Sequence, residues 1–205
     1  MAVNPEATHL AAYVGGGEDK VASFLTEWIS VGGKGKRVNG VAGLRRYVTG
    51  FLDSCRPASV IRWSHPLLTR LEIDALLGER QIKVLGWEEL ARQSKVERWP
   101  AAFAADLGIS SVDWAVAETG TLALSSLPGQ GRVVSLLPAT YLAIIEPSQI
   151  VADLFDLFER FEERKQDLPS NIAFVTGPSK TGDIELKLTT GVHGPGNVNV
   201  VIVED

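Results

Sequence analysis

The chain has very little cysteine: Cys55 is the only one in 205 residues. One thiol excludes an internal disulfide framework, a four-cysteine iron–sulfur cluster and a cysteine-rich zinc site within the chain. Cys55 follows Phe51 and Leu52 at the end of a helical pattern and reads as a half-buried filler rather than a nucleophile. Histidine is scarce too. With only His9, His65 and His193, a three-histidine metal site would need distant segments to converge, and no metal site is expected. Excess positive charge is absent: 20 Lys and Arg against 25 Asp and Glu leave a net charge of -5. That balance argues against a surface that tracks nucleic-acid phosphates. The one basic stretch, Lys34-Gly35-Lys36-Arg37, reads as a solvated loop. The long apolar segment from Val133 to Ile145 is interrupted by Pro138 and falls short of the ~20 residues a membrane helix needs. No secretion signal opens the sequence, so a cytoplasmic location without a membrane span is expected.

What is present is an ordinary globular composition, 45% hydrophobic and 22% charged. Residues 1–17 read as a flexible segment ending in Gly15-Gly16-Gly17, and 18–205 as one α/β domain, with helices over 18–56 and a sheet core over 57–205. Helical spacing of Val21, Phe24, Leu25, Trp28 and Ile29 predicts a helix over 19–31, and a second fits 41–55. Strands are predicted at 59–63, 82–85, 112–117, 122–125, 133–137, 142–145, 172–175 and 198–203. Helices are predicted over 66–77, over 97–107 with Gly108 as cap, and after Ser148, where Ile150, Val151, Leu154, Phe155, Phe158 and Phe161 are expected to face inward. Alternating strands and helices imply a three-layer α/β sheet with helices on both faces.

Chemistry-bearing residues concentrate in three short segments. In the first, Glu118 follows an apolar run, and Thr119 and Thr121 flank Gly120, which could take a positive φ. A desolvated carboxylate there could serve as a general base or an anchor; a plain turn with Glu118 exposed explains it equally well. In the second, the strand ending at Val175 runs through Gly177, Pro178 and Ser179 into an expected short helix that Ser179 caps and Gly191 ends. Lys180 and Thr181 belong to its start. Asp183 and Glu185 would complement the helix dipole and repel a phosphate, which weakens any nucleotide reading. Asp183 is assigned to holding the loop and Glu185 to facing the site. In the third, His193 sits in a loop with Gly191, Gly194 and Pro195, where an imidazole can exchange protons near neutral pH. No Gly-x-Ser-x-Gly elbow is present.

Taken in order, Ala117-Glu118-Thr119-Gly120-Thr121, the run from Gly131 to Pro138, the run from Thr176 to Glu185, and Gly191-Val192-His193-Gly194-Pro195 resemble the LUD-domain family of lactate utilisation proteins. Gly182 departs from the alanine common at that position of the family. The resemblance implies a fold similar to the ribose-phosphate isomerase, glucosamine-phosphate deaminase and CoA-transferase superfamily. It also implies a cytoplasmic part in oxidising L-lactate to pyruvate, as a component without its own cofactor beside iron–sulfur partner proteins. Catalytic roles would fall on Glu118, Glu185 and His193. Ligand binding would fall on Thr119, Gly120, Thr121, Gly177, Ser179, Lys180, Thr181, Asp183 and Gly194. Two alternatives stay open: a stand-alone enzyme or binder of a small phosphorylated, CoA-linked or hydroxy-acid metabolite, and a non-catalytic scaffold or regulator.

Overall fold

The computed structural model describes residues 15–182 and 188–205. The expected flexible segment 1–17 therefore lies outside the described residues except for its three glycines. Helix α1 (Lys20–Ser30) begins at Asp19, whose side chain accepts hydrogen bonds from the amides of Val21 and Ala22. Its apolar face buries Val21, Phe24 and Trp28, as the helical spacing requires.

Lys34–Asn39 then forms strand β1, so the basic stretch is not a loop. The polar composition misled because β1 pairs only with one neighbour and exposes most of its side chains; lysine and glycine suit such an edge. Arg37 links it to Asp19 at 2.9 Å and Glu204 at 2.7 Å. Helix α2 (Gly40–Cys55) follows as expected and stops at Arg56 in the left-handed conformation. After β2 (Ser59–Arg62), the single helix predicted over 66–77 is two, α3 (Pro66–Arg70) and α4 (Ile73–Gly78), broken where Glu72 turns to φ 55°. Next come β3 (Lys83–Gly86), α5 (Trp87–Arg92) and α6 (Lys95–Phe103).

Gly108 caps no helix. It lies inside β4 (Leu107–Ser110), whose four residues are all buried, and its bare backbone faces the Val134 carbonyl, 1.9 Å from where a Cβ would stand. That carbonyl belongs to α7 (Val133–Leu136), the apolar run predicted as a strand. A short, mostly apolar run carries too little periodicity to tell the two apart. Between them, β5 (Trp114–Val116) and β6 (Thr121–Ser125) form an antiparallel hairpin. β7 (Thr140–Ile145) and the two-residue β8 (Ile150–Val151) lead to α8 (Leu154–Glu162), which Asp153 caps rather than Ser148. Leu157 and Phe161 bury themselves, but Phe155 and Phe158 are more than half exposed, contrary to the expectation that the whole apolar stripe faces inward. Finally β9 (Ile172–Val175), β10 (Lys180–Gly182), β11 (Leu188–Thr190) and β12 (Asn197–Glu204) close the chain. β10 and β11 pair antiparallel, so a hairpin stands where a helix was expected after Ser179.

The main sheet has six strands, all parallel, in the order β1-β12-β7-β4-β2-β3. Its central strands are almost wholly apolar, as a sheet covered on both faces requires. A second sheet, β8-β5-β6-β9, lies beside it. The connection from β2 leaves toward β3 and that from β4 toward β7, so the crossovers diverge between neighbouring strands β2 and β4. Among the described residues no helix is long and apolar enough to cross a membrane.

Candidate functional site

The three sequence segments meet, but not at the carboxyl ends of the main sheet. They gather around the last turn of α1, beside the amino ends of β1 and β12. Residues 117–120 form the turn of the β5–β6 hairpin, and Gly120 takes φ 60° there. A Cβ on Gly120 would lie 2.4 Å from the Trp28 backbone nitrogen, so only glycine lets the turn seat on the helix. Gly177, at φ 82°, is pressed in the same way against Val31.

Hydrogen bonds then join segment to segment. Thr119 Oγ1 donates to Thr121 Oγ1 at 2.8 Å, and Thr121 Oγ1 bonds Thr176 Oγ1 at 2.8 Å, which ties the first segment to the second. The Ser179 amide donates to the Pro195 carbonyl, and the Gly191 amide to the Ser179 carbonyl, each at 2.9 Å, which ties the second to the third. Gly194 lies beside Ser179, where a Cβ would touch the serine side chain at 3.4 Å. Lys180 Nζ donates to the Val31 carbonyl at 2.6 Å, placing a cation at the carboxyl end of α1 where the helix dipole favours it. Thr181 sits in β10 opposite Thr189. Glu118 is half-buried and its amide extends the pairing to the Ala152 carbonyl, while His193 is exposed on the bend before β12. Asp183 and Glu185 lie outside the described residues.

The carboxyl edge of the main sheet holds a different set of groups, which the sequence reading passed over. A crevice of about 340 Å³ opens where β2, β4 and β7 end, walled by Trp63, Val112, Trp114 and Leu127 and edged by His65, Asp113, Gln149 and Arg164. A neighbouring cavity, also lined by His65, is bounded by Arg70 and Glu146. His65 Nδ1 accepts the Leu67 amide at 3.2 Å and so caps α3. Burial lowers the His65 pKa below the ordinary 6.5, against the opposing pull of Asp113 and Glu146. Asp113 Oδ2 accepts the Ser125 amide at 2.6 Å, and Gln149 clamps the β4 exit through Ser111 Oγ and the Val112 carbonyl. Beneath this edge Ser110 Oγ and Tyr141 Oη share a 2.6 Å hydrogen bond in full burial, and the Tyr141 hydroxyl is pushed well above its ordinary pKa, chiefly by that burial. The signal for His65 was in the sequence: Ser64-His65-Pro66 follows a predicted strand, the position where an open α/β sheet presents side chains to ligands.

Among the described residues no three His, Cys, Asp or Glu side chains converge as a metal-binding group.

The LUD domain family profile matches residues 4–203. Lactate utilization protein C of Halalkalibacterium halodurans is 35% identical over 165 residues, 79% of this chain and 70% of that protein. The protein of the same name from Macrococcus caseolyticus is 36% identical over 149 residues, covering 71% of this chain and 62% of that protein. The crystal structure of a DUF162 family protein from Deinococcus radiodurans superposes with a TM-score of 0.62 at 21% identity, over 89% of this chain and 95% of the other, a likeness of fold. The second of these relatives is thus matched over less than two thirds of its length. With a profile match along nearly its whole length and relatives of this similarity, the chain belongs to the LUD domain family.

Proposed function

We propose that this chain serves lactate utilisation in the cytoplasm as a component without a redox centre of its own, handling the substrate beside iron–sulfur partner proteins that take up the electrons from L-lactate. The observation that carries this reading is the 35% identity over 79% of the chain to a protein named for lactate utilisation. The chemistry of the chain is consistent with dependence on partners. Cys55 is the sole cysteine and is half-buried, and burial raises its thiol pKa, which disfavours the thiolate that metal binding or redox exchange would use.

Within this reading the groups that meet lactate or a partner are Glu118, Glu185 and His193. Ligand binding in this reading falls on Thr119, Gly120, Thr121, Gly177, Ser179, Lys180, Thr181, Asp183 and Gly194. A half-buried carboxylate and an exposed imidazole are suited to moving the proton that leaves a hydroxy acid on oxidation. The test is reconstitution of lactate-dependent dye reduction from the cognate iron–sulfur proteins, with and without this chain. Addition of the chain should raise the rate at least tenfold, and Glu118→Gln and His193→Ala should lower it at equal folded protein. An unchanged rate, with no complex detected by sedimentation, would sink the proposal.

A further inference from the structure

The main sheet has its topological switch point between β2 and β4, and in open α/β sheets the crevice outside such a point is where ligands lodge. The crevice found there, about 340 Å³, falls in the size range of small-molecule sites. Apart from Asp113 Oδ1, which faces Arg164 at 4.0 Å, its acceptors are already engaged. Asp113 Oδ2 holds the Ser125 amide, Gln149 Oε1 holds the Glu146 amide at 2.9 Å, and Glu146 is paired with Arg70.

Its donors are not. Trp114 Nε1 is buried without a hydrogen-bond partner among the described residues, a condition native proteins seldom leave uncompensated. His65 accepts at Nδ1, and a neutral imidazole that accepts there carries its proton on Nε2, from which no described residue accepts. Arg164 stands 4.0 Å from Asp113, the longest ion pair among the described residues and beyond hydrogen-bonding distance, so its guanidinium fork remains available. Surplus N–H donors beside a loosely held arginine, with apolar walls of two indoles, complement a compact anion that offers two coplanar oxygens on a short carbon skeleton.

We propose that this crevice binds a small carboxylate, its oxygens held by the Arg164 guanidinium and His65 Nε2–H, against the Trp114 indole in the wall. The inference goes beyond the lactate reading: it uses none of the residues assigned there and needs no partner protein.

The test is a titration of the full chain with sodium acetate, sodium L-lactate and sodium pyruvate at fixed ionic strength. Binding is followed through the indole N–H resonances in a nitrogen–proton correlation spectrum, with the Trp114 peak assigned from Trp114→Phe. At least one carboxylate should move that peak saturably while sodium chloride leaves it in place. Arg164→Gln should weaken the apparent affinity at least tenfold; the side chain is 57% exposed, so its replacement leaves the fold intact. Arg160→Gln, which removes the cation over the Trp114 ring but not a residue lining the crevice, should change the affinity less than twofold. A peak that stays still with all three acids, one that moves equally with chloride, or full affinity in Arg164→Gln would each overturn the proposal. Dye reduction plays no part in the readout, so failure here is distinct from failure of the lactate reading.

Discussion

At the amino edge of the main sheet, Thr119, Thr121 and Thr176 satisfy one another's hydroxyls, Lys180 is committed to the Val31 carbonyl, and Gly120 and Gly177 lie against backbone. At the carboxyl edge, the Trp114 indole has no partner and Arg164 holds Asp113 only at 4.0 Å. The first region is dense in motif residues and closed on itself; the second is sparse in motif and open in hydrogen-bonding capacity. A cluster of glycines and hydroxyls in a sequence can therefore mark a joint between elements, with Glu118 and His193 left at its surface, while a binding crevice is assembled from single residues far apart in the chain.

The comparison breaks most decisively at Gly120. If the first region is a joint, Gly120→Ala, which pushes a Cβ into the Trp28 backbone at positive φ, should destabilise the chain by about 3 kcal/mol. Gly40→Ala, at φ 56° with nothing within 4 Å, should cost only about 1 kcal/mol, both read by urea denaturation. Equal losses would remove the joint argument. Thr121→Val should follow at about 1–2 kcal/mol, because it cuts the hydroxyl chain between β6 and Thr176 in a nearly buried position. A neutral result would mean that water replaces the bond. Lys180→Met should cost about 0.5 kcal/mol by leaving the end of α1 without its cation, a loss that high salt should reduce in size.

The smallest effect belongs to the carboxyl edge. Burial holds the folded-state pKa of His65 below the 6.5 of the unfolded chain, so between those values the unfolded state binds a proton that the folded state does not. Stability from this group is present above pH 6.5 and is lost as pH falls through the folded pKa. His65→Asn, which keeps an acceptor for the Leu67 amide, should flatten the decline in melting temperature below pH 6.5 relative to the parent; an identical profile would show that His65 does not titrate with unfolding.

Most elements were legible because their apolar residues repeat at a period the backbone imposes. Phe24 and Trp28 revealed α1, and the apolar runs of β7 and β12 revealed two buried strands. The failures have local causes. Lys36 and Arg37 hide an edge strand because the free side of β1 meets water, and Val133 and Val134 hide a helix because four residues, three of them buried, complete barely one turn. Thr181, Thr189 and Thr190 favoured a strand by β-branching, but the acidic residues beyond Gly182 suggested a helix start instead. In the site, the positive φ of Gly120 was readable from the turn chemistry, while its contact with α1 was not, since no local pattern connects residues 28 and 120. His65 was visible at a strand end, yet its pairing with Trp114 and Arg164 depends on which strands lie side by side.

Gly108 acts as a notch in the floor of the sheet. Helix α7 drops into it, and the chain just before α7 reaches the rim of the crevice, where the Trp63 indole grips the Gly131 carbonyl at 2.9 Å and the Ser64 amide grips Gly129 at the same distance. A methyl group at position 108 would meet the Val134 carbonyl and press on α7, the element that follows the segment supplying Leu127 and Gln130 to the crevice. A ligand crevice at the edge of the sheet thus shares a segment of chain with a contact that only glycine permits in its middle.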